Sequence, residues 1–235
     1  MAETVFISGA DKGLGYSLTV RFLREGFHVV AGAYTGSSNL LGLQRNFAKA
    51  LTIVPLDLSN PASIREAARL VAEGTKDLDI LINNAGIHPD QEGLPMENLD
   101  FDDGHLERTL AVNTFGPLRL THALLPLLKK GRRKLIVDIS SEAGSIADCW
   151  RRGEFGYCMS KAALNMQVKI LHNALAPNGF RVLAVHPGWM QTDMGGPKAE
   201  VPPDRSAEGI FKLATQADPQ ADLIYLDYRA NPLHW

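Results

Sequence analysis

The sequence predicts an α/β fold, a doubly wound sheet of about seven parallel strands with helices on both faces. Seven short apolar runs, each bounded by Gly, Asp, Asn or Pro, alternate with longer segments of helical periodicity. Short continuous apolar runs are typical of strands buried on both faces, and strands that alternate with helices require right-handed crossovers. The seven runs are residues 5–7, 27–33, 51–56, 78–82, 135–139, 182–185 and 223–226.

Two of the intervening segments carry clear helix signals. Leu14, Leu18 and Phe22 are spaced four residues apart, which places them on one face of a helix. Asn60 followed by Pro61 predicts the start of another helix, because Asn is a preferred cap and Pro is favoured at the first helical position.

Composition and charge exclude several classes of protein. The chain has 235 residues and two cysteines, and its formal net charge is −2. So near to neutrality, it lacks the overall field that attracts nucleic acid or anionic lipid. It contains no apolar run long enough to span a membrane, no metal-ligand spacing and no room for a signal peptide before the first strand. We expect a single cytoplasmic domain, residues 1–235, that binds no metal, nucleic acid or membrane.

A glycine-rich segment lies between the first predicted strand and the first helix. Gly9, Gly13 and Gly15 fall in the segment SGADKGLG, residues 8–15. Glycines at such a turn let the backbone approach a pyrophosphate, and a helix N-terminus offers N–H groups and a positive dipole end. The alternative is a glycine turn with a purely structural role.

Polar residues follow three later strands, at the sheet edge where folds of this class bind ligands. Asp57 follows the third strand and could accept a hydrogen bond from an adenine amino group. The segment Asn-Asn-Ala-Gly, residues 83–86, ends the fourth strand; its amides can tie strand ends together, and its glycine leaves space for a ribose. Ser140 and Ser141 end the fifth strand.

Tyr157 and Lys161 begin the next predicted helix, and their spacing places both on one face. In this order the motifs resemble those of the short-chain dehydrogenases/reductases, over essentially the whole chain. The resemblance rests on the glycine segment, Asn-Asn-Ala-Gly, Asn113 in a long helix, Ser141, Tyr157 with Lys161, and Pro187-Gly188 followed by Thr192.

The resemblance implies a Rossmann-type fold and hydride transfer between a nicotinamide cofactor and a carbonyl or secondary alcohol. Tyr157 would be the acid/base; its ordinary pKa of about 10 would be lowered by Lys161 and by an oxidised nicotinamide. Lys161 would also bind the ribose. Ser141, the second serine of its pair, would hold the substrate oxygen, and Asn113 would hold a water in a proton relay.

The resemblance also implies the cofactor contacts. No carboxylate follows the second strand in residues 32–38, where an acidic side chain would select NAD, so we expect NADP(H) rather than NAD(H). Lys12 would pair with the 2′-phosphate, although an ordinary solvated lysine is the alternative. The predicted cofactor-binding residues are Gly9, Lys12, Gly13, Leu14, Gly15, Tyr34, Asp57, Leu58, Asn84, Ala85, Gly86, Tyr157, Lys161, Pro187, Gly188 and Thr192.

The carboxyl end, residues 225–235, is similar to that of the C-factor-like or sniffer-like carbonyl reductase branch. It leaves a lid of about residues 189–204 and an insert at 146–155 to select a small-molecule carbonyl or alcohol substrate. The second hypothesis is a cofactor-sensing or signalling protein whose role does not depend on turnover. Relatives pair through the helices that contain Asn113 and Tyr157, so we expect a homo-oligomer, a dimer or a tetramer.

Overall fold

The computed structural model describes residues 2–36, 38–89, 96–216 and 223–235. Its centre is a sheet of seven parallel strands in the order β3-β2-β1-β4-β5-β6-β7. This confirms the predicted fold class, and each strand overlaps a predicted run. The strands are β1 (Thr4–Ser8), β2 (His28–Ala33), β3 (Leu51–Pro55), β4 (Ile80–Asn83), β5 (Leu135–Ile139), β6 (Arg181–His186) and β7 (Tyr225–Asp227).

Helices cover both faces of the sheet. The cap predicted at Asn60 is present: its Oδ1 accepts hydrogen bonds from the backbone N–H groups of Ala62 and Ser63 at 2.9 and 3.4 Å. The helices are α1 (Gly13–Arg24), α2 (Ser38–Asn46), α3 (Pro61–Gly74), α4 (His105–Leu110), α5 (Gly116–Leu128), α6 (Phe155–Leu175) and α7 (Pro203–Thr215).

Each face of the sheet has its own apolar core. On one face α1 packs against α7, and the rings of Phe22, Phe27 and Phe211 meet edge to face. The other face is covered by α3, α5 and α6, where Ile64, Leu120 and others are buried. Strands covered on both sides must be apolar throughout, which explains the continuous runs in the sequence.

The strand order reverses between β1 and β4, which are neighbours in the sheet although two strands separate them in sequence. Such a reversal opens a crevice at the carboxyl ends of the strands, because the two connections leave in opposite directions. The glycine segment after β1 and the Asn-Asn-Ala-Gly segment after β4 therefore lie side by side.

Among the helices that the structure describes, none is long and apolar enough to cross a membrane.

Two sequence predictions need local correction. Asn113 does not lie in a regular long helix but in a π-helical turn, Ala111–Phe115, between α4 and α5. The segment predicted as a lid, 189–204, is a loop only as far as Pro202, because residues 203 and 204 form the first turn of α7. A bridge between Met190 and Val201 joins the two ends of this loop.

Candidate active site

The glycine segment forms a tight turn into α1. Gly9 and Gly13 have positive φ angles of 63° and 52°. A Cβ atom on Gly15 would lie 2.0 Å from the carbonyl oxygen of Gly9, so a side chain is excluded there. Lys12, the residue before α1, has an extended backbone, and its side chain does not cap the helix. The first N–H groups of α1 thus suit an anionic group such as a pyrophosphate. Leu14 offers it only backbone, because its side chain is buried.

Amide side chains tie the strand ends together, as predicted. The Asn84 Nδ2 donates to the carbonyl oxygens of Ser8 and Gly9 at 2.9 and 3.2 Å. In return the Ser8 Oγ accepts from the backbone N–H groups of Asn84 and Ala85. These four hydrogen bonds fix the glycine segment against the end of β4.

Ser141 and Tyr157 lie beside each other beyond the end of β5. Their hydroxyl groups are hydrogen-bonded, and the Ser141 Oγ also accepts from the Ala143 N–H at 3.1 Å. Ser140 instead donates to the Asn165 Oδ1 at 2.6 Å and is fully buried. Of the two serines, Ser141 is therefore the one placed next to Tyr157.

Lys161 lies one turn along α6 from Tyr157. Its Nζ is 5.7 Å from the centre of the tyrosine ring and donates to the Ile139 carbonyl oxygen at 2.8 Å. Burial lowers the pKa of Lys161 to about 8, although the Asp138 carboxylate opposes this. Burial also raises the pKa of Tyr157 to about 12, while the Ser141 hydrogen bond opposes that rise. The direction of the shift in the protein alone is thus opposite to the lowering expected from Lys161, because desolvation penalises the phenolate.

The Asn113 side chain joins the π-helical turn to the segment after β4. Its Oδ1 accepts from the Ile87 N–H at 2.8 Å, and its Nδ2 donates to the Ile87 carbonyl oxygen at 2.8 Å. Gly86 lies between the predicted catalytic groups. A Cβ atom there would be 3.3 Å from the Asn113 Oδ1 and 3.7 Å from the Lys161 Nζ. The structure therefore brings Asn113 and Lys161 together around Gly86.

The residues predicted to bind the adenosine half are more dispersed. Tyr34 is exposed just beyond β2. The Asp57 Oδ1 accepts from the N–H and the hydroxyl of Ser59, so the carboxylate helps to hold its own turn. Leu58 is buried and packs against Gly116, which leaves only its backbone for a ligand. Lys12 is exposed and pairs with Asp193 at 2.8 Å.

The loop after β6 lies over the glycine segment. Gly188 has a φ of 84°, and the Pro187 carbonyl oxygen accepts from the Ser206 hydroxyl at 2.8 Å. A Cβ atom on Gly13 would be 3.3 Å from the Thr192 Cγ2. The predicted residues of this loop therefore close one side of the crevice.

Two sets of contacts at the site had no role in the sequence-based prediction. Arg151 pairs with Glu142, the residue after Ser141, and with Glu154, three residues before Tyr157. The Tyr225 hydroxyl donates to the Ser141 carbonyl oxygen at 2.7 Å. The three-residue spacing of Arg151 and Glu154 in the sequence was a weak signal for the Arg151 ion pairs. No feature of the sequence connects Tyr225 with Ser141.

Comparison with known proteins gives the family. The model for the short-chain dehydrogenases matches residues 3–202. C-signal from Myxococcus xanthus is 39% identical over 161 residues, which cover 68% of this chain and 95% of that protein.

Solved structures agree over the whole chain. An NADPH-bound carbonyl reductase from chicken fatty liver is 32% identical with a TM-score of 0.85, covering 100% of this chain and 99% of that chain. The carbonyl reductase Sniffer of Drosophila melanogaster is 28% identical with a TM-score of 0.89, covering 100% of both chains. The chain belongs to the short-chain dehydrogenase family of oxidoreductases.

Proposed function

We propose that this protein transfers a hydride between NADP(H) and a carbonyl compound or secondary alcohol. The observation that carries the proposal is the placement of Ser141, Tyr157 and Lys161 at the carboxyl edge of the sheet, in the crevice that begins at the glycine segment. The carbonyl reductases among the structural relatives support the same reaction class.

The residues of the crevice fit a dinucleotide. Gly9 and Gly13 have positive φ angles and Gly15 packs against the Gly9 carbonyl oxygen, so the segment turns tightly into the N-terminus of α1, where a pyrophosphate would bind. Gly86 leaves room for a ribose beside Lys161. When bound, the cofactor supplies the hydride and, in its oxidised form, a positive charge near Tyr157. Thr192 and the Pro187-Gly188 turn hold the nicotinamide half, whereas Tyr34, Asp57 and the Leu58 backbone flank the adenine.

Tyr157 is the proton donor in carbonyl reduction and the acceptor in alcohol oxidation. Its hydrogen bond to Ser141 places both hydroxyl groups where one substrate oxygen can contact them, so Ser141 orients the substrate. Because burial raises the pKa of Tyr157 to about 12, the protonated phenol is the resting form. This form suits reduction, and Lys161 with the cofactor charge is required to favour the phenolate for oxidation. Asn113 connects this region to a water that relays protons.

The cofactor preference rests on charge. No carboxylate lies in residues 32–36 at the end of β2, and Lys12 projects from the glycine segment. Where no acidic residue follows the second strand, a cation near the ribose favours a 2′-phosphate. Lys12 is paired with Asp193 in this structure, so the phosphate must compete with that carboxylate.

A role in signalling without turnover is the second candidate, favoured by the likeness to C-signal. It competes poorly with catalysis, because this chain retains both Tyr157 and Lys161, with the Lys161 Nζ 5.7 Å from the centre of the Tyr157 ring.

We also propose self-association through α5 and α6. Apolar side chains on these helices and the preceding turn are exposed, namely Phe115, Leu118, Met159, Met166 and Ile170.

The proposal is tested by following NADPH oxidation with a panel of ketones, aldehydes and quinones. Wild-type protein should reduce at least one class, and Tyr157→Phe should bind NADPH normally but lose most turnover, because the proton donor is missing. Unchanged turnover in Tyr157→Phe would exclude the proposed mechanism.

A further inference from the structure

Arg151 links the two ends of the segment that separates Ser141 from Tyr157. Its guanidinium donates to both carboxylate oxygens of Glu142 at 2.7 and 2.8 Å, and its Nε donates to Glu154 at 2.8 Å. Glu142 is the residue after Ser141, and Glu154 comes three residues before Tyr157. A single side chain thus contacts the flanks of both proposed active-site hydroxyls.

The environment makes this contact stronger than an ordinary surface ion pair. The side chains of Arg151 and Glu154 are 13% and 22% exposed, so water screens this pair less than an exposed one, whereas Glu142 is 41% exposed. Two parallel N–H···O bonds to one carboxylate also fix the planes of both groups. For comparison, Arg69 pairs with Glu66 and Glu73 on α3, but its side chain is 54% exposed.

Glu154 has a backbone conformation that needs support. Its φ and ψ are 58° and 40°, in the left-handed region that residues other than glycine rarely adopt. It immediately precedes α6, the helix that carries Tyr157. Such a conformation persists where the surroundings enforce it. The bond from Arg151 supplies that constraint at the start of the helix.

His88 connects Glu154 to the ring of Tyr157. The His88 Nε2 lies 3.5 Å from the Glu154 carboxylate. Its ring meets the Tyr157 ring edge to face, with centroids 4.2 Å apart. Glu154 therefore connects the Arg151 guanidinium to a side chain that packs directly on the proposed acid/base.

We propose that Arg151 is a positioning residue that holds Ser141 and Tyr157 in register by clamping Glu142 and Glu154. The proposal rests on the hydride-transfer function given above. Because Arg151 acts through other residues, its loss should lower kcat without weakening cofactor binding.

The clamp also places opposite charges near Tyr157. Arg151 lowers the pKa of Tyr157, whereas Glu142 raises it. Removing Arg151 and removing Glu142 should therefore shift the pH dependence of activity in opposite directions. A loss of order in residues 141–157 alone would not produce opposite shifts. The charged and titratable groups around Tyr157 are Lys161 and Cys158 on α6, Glu142 after β5 with His186 behind it, Arg151 and Glu154 in the insert, and His88 after β4.

The test compares Arg151→Met, Glu142→Gln and the double variant in alcohol oxidation across pH. Both single variants should lose about 10- to 100-fold in kcat with little change in the KM for NADP⁺. The rise of kcat with pH should move to higher pH in Arg151→Met and to lower pH in Glu142→Gln. The double variant should return toward the wild-type pH dependence without recovering kcat.

Two further variants separate positioning from folding. Arg151→Lys keeps the charge but cannot make the two parallel bonds, so kcat should stay low while the pH dependence stays near that of wild type. Arg69→Met removes the exposed ion pairs on α3, which do not contact Ser141 or Tyr157, and should leave kcat and pH dependence unchanged. Wild-type kcat in Arg151→Met, or shifts in the same direction for both single variants, would overturn the proposal.

A measurement that needs no substrate tests the Arg151 clamp independently of the proposed reaction. Hydrogen exchange of backbone amides in residues 141–158 should be faster in Arg151→Met than in wild type, and unchanged in Arg69→Met. Unchanged exchange in Arg151→Met overturns the clamp. Absence of NADPH-dependent turnover in the wild type overturns the proposed function, while the exchange result still decides whether Arg151 holds the segment.

Discussion

Substitution of Gly9 by alanine tests whether the glycine segment is built around its contact with the end of β4. Gly9 has a φ of 63°, and an added Cβ would lie 2.9 Å from the Cα and 3.0 Å from the Cβ of Ala85. The obstacle is therefore largely backbone, which cannot rotate away as a flexible side chain could. Gly26 is a matched control. Its φ is 82°, and apart from its two chain neighbours no heavy atom of the described residues lies within 4 Å of an added Cβ.

The two substitutions share one cost and differ in the other. The left-handed conformation costs alanine about 1 kcal/mol at either position. Overpacking adds about 1–3 kcal/mol at Gly9 alone, because Ala85 or the glycine segment must shift. Gly9→Ala should therefore destabilise the protein by about 2–4 kcal/mol, against about 1 kcal/mol for Gly26→Ala.

Urea unfolding measures both values, and titration of NADPH fluorescence measures cofactor binding. A shifted glycine segment should weaken NADPH binding at least about tenfold in Gly9→Ala, whereas Gly26→Ala should bind as wild type. If the two variants are equally stable and bind NADPH equally well, the inferred role of the Gly9–Ala85 contact is wrong.

Three other predictions follow from individual contacts. Tyr225→Phe leaves the buried Ser141 carbonyl oxygen without this donor and should lower the unfolding free energy by about 1–3 kcal/mol in urea; an unchanged value would contradict the contact. Lys12→Ala should lower kcat/KM for NADPH about tenfold but spare NADH, and equal losses would refute a 2′-phosphate contact. Burial raises the pKa of Asp138 from its ordinary value of 3.8 to about 7. The stability that the protonated carboxyl contributes is therefore fully present below pH 3.8 and is lost as the pH rises through 7. The stability of wild type relative to Asp138→Asn should accordingly fall from pH 4 to pH 7 in urea unfolding, and a rise would contradict the assignment.

The strands and the cap of α3 could be predicted because neighbouring residues in the sequence determine each of them. An apolar run such as residues 135–139 is buried on both faces, and Asn60 caps the helix that begins one residue later. The tie between Asn84 and the end of β1 was also predictable, since parallel strands end at one edge. Ser141 was distinguished from Ser140 by its position in the pair, and the geometry now places it beside Tyr157.

Features that depend on long-range packing could not be predicted in the same way. The side chain of Asn113 bonds to the Ile87 backbone, and this pairing accompanies a π-helical turn that hydrophobic periodicity does not reveal. The Arg151 clamp depends on how the insert folds back on β5. The direction of the Tyr157 pKa depends on burial, which outweighs the groups visible in the sequence.

In the proposed reaction NADPH transfers a hydride to a carbonyl carbon and Tyr157 donates the proton to the carbonyl oxygen. It is tested most directly with NADPH carrying deuterium at the transferring position of C4 and mass spectrometry of the alcohol product. The product of the wild-type protein should carry one deuterium, and Tyr157→Phe should give almost no product at saturating NADPH. Product without deuterium, or undiminished deuterated product from Tyr157→Phe, would contradict it.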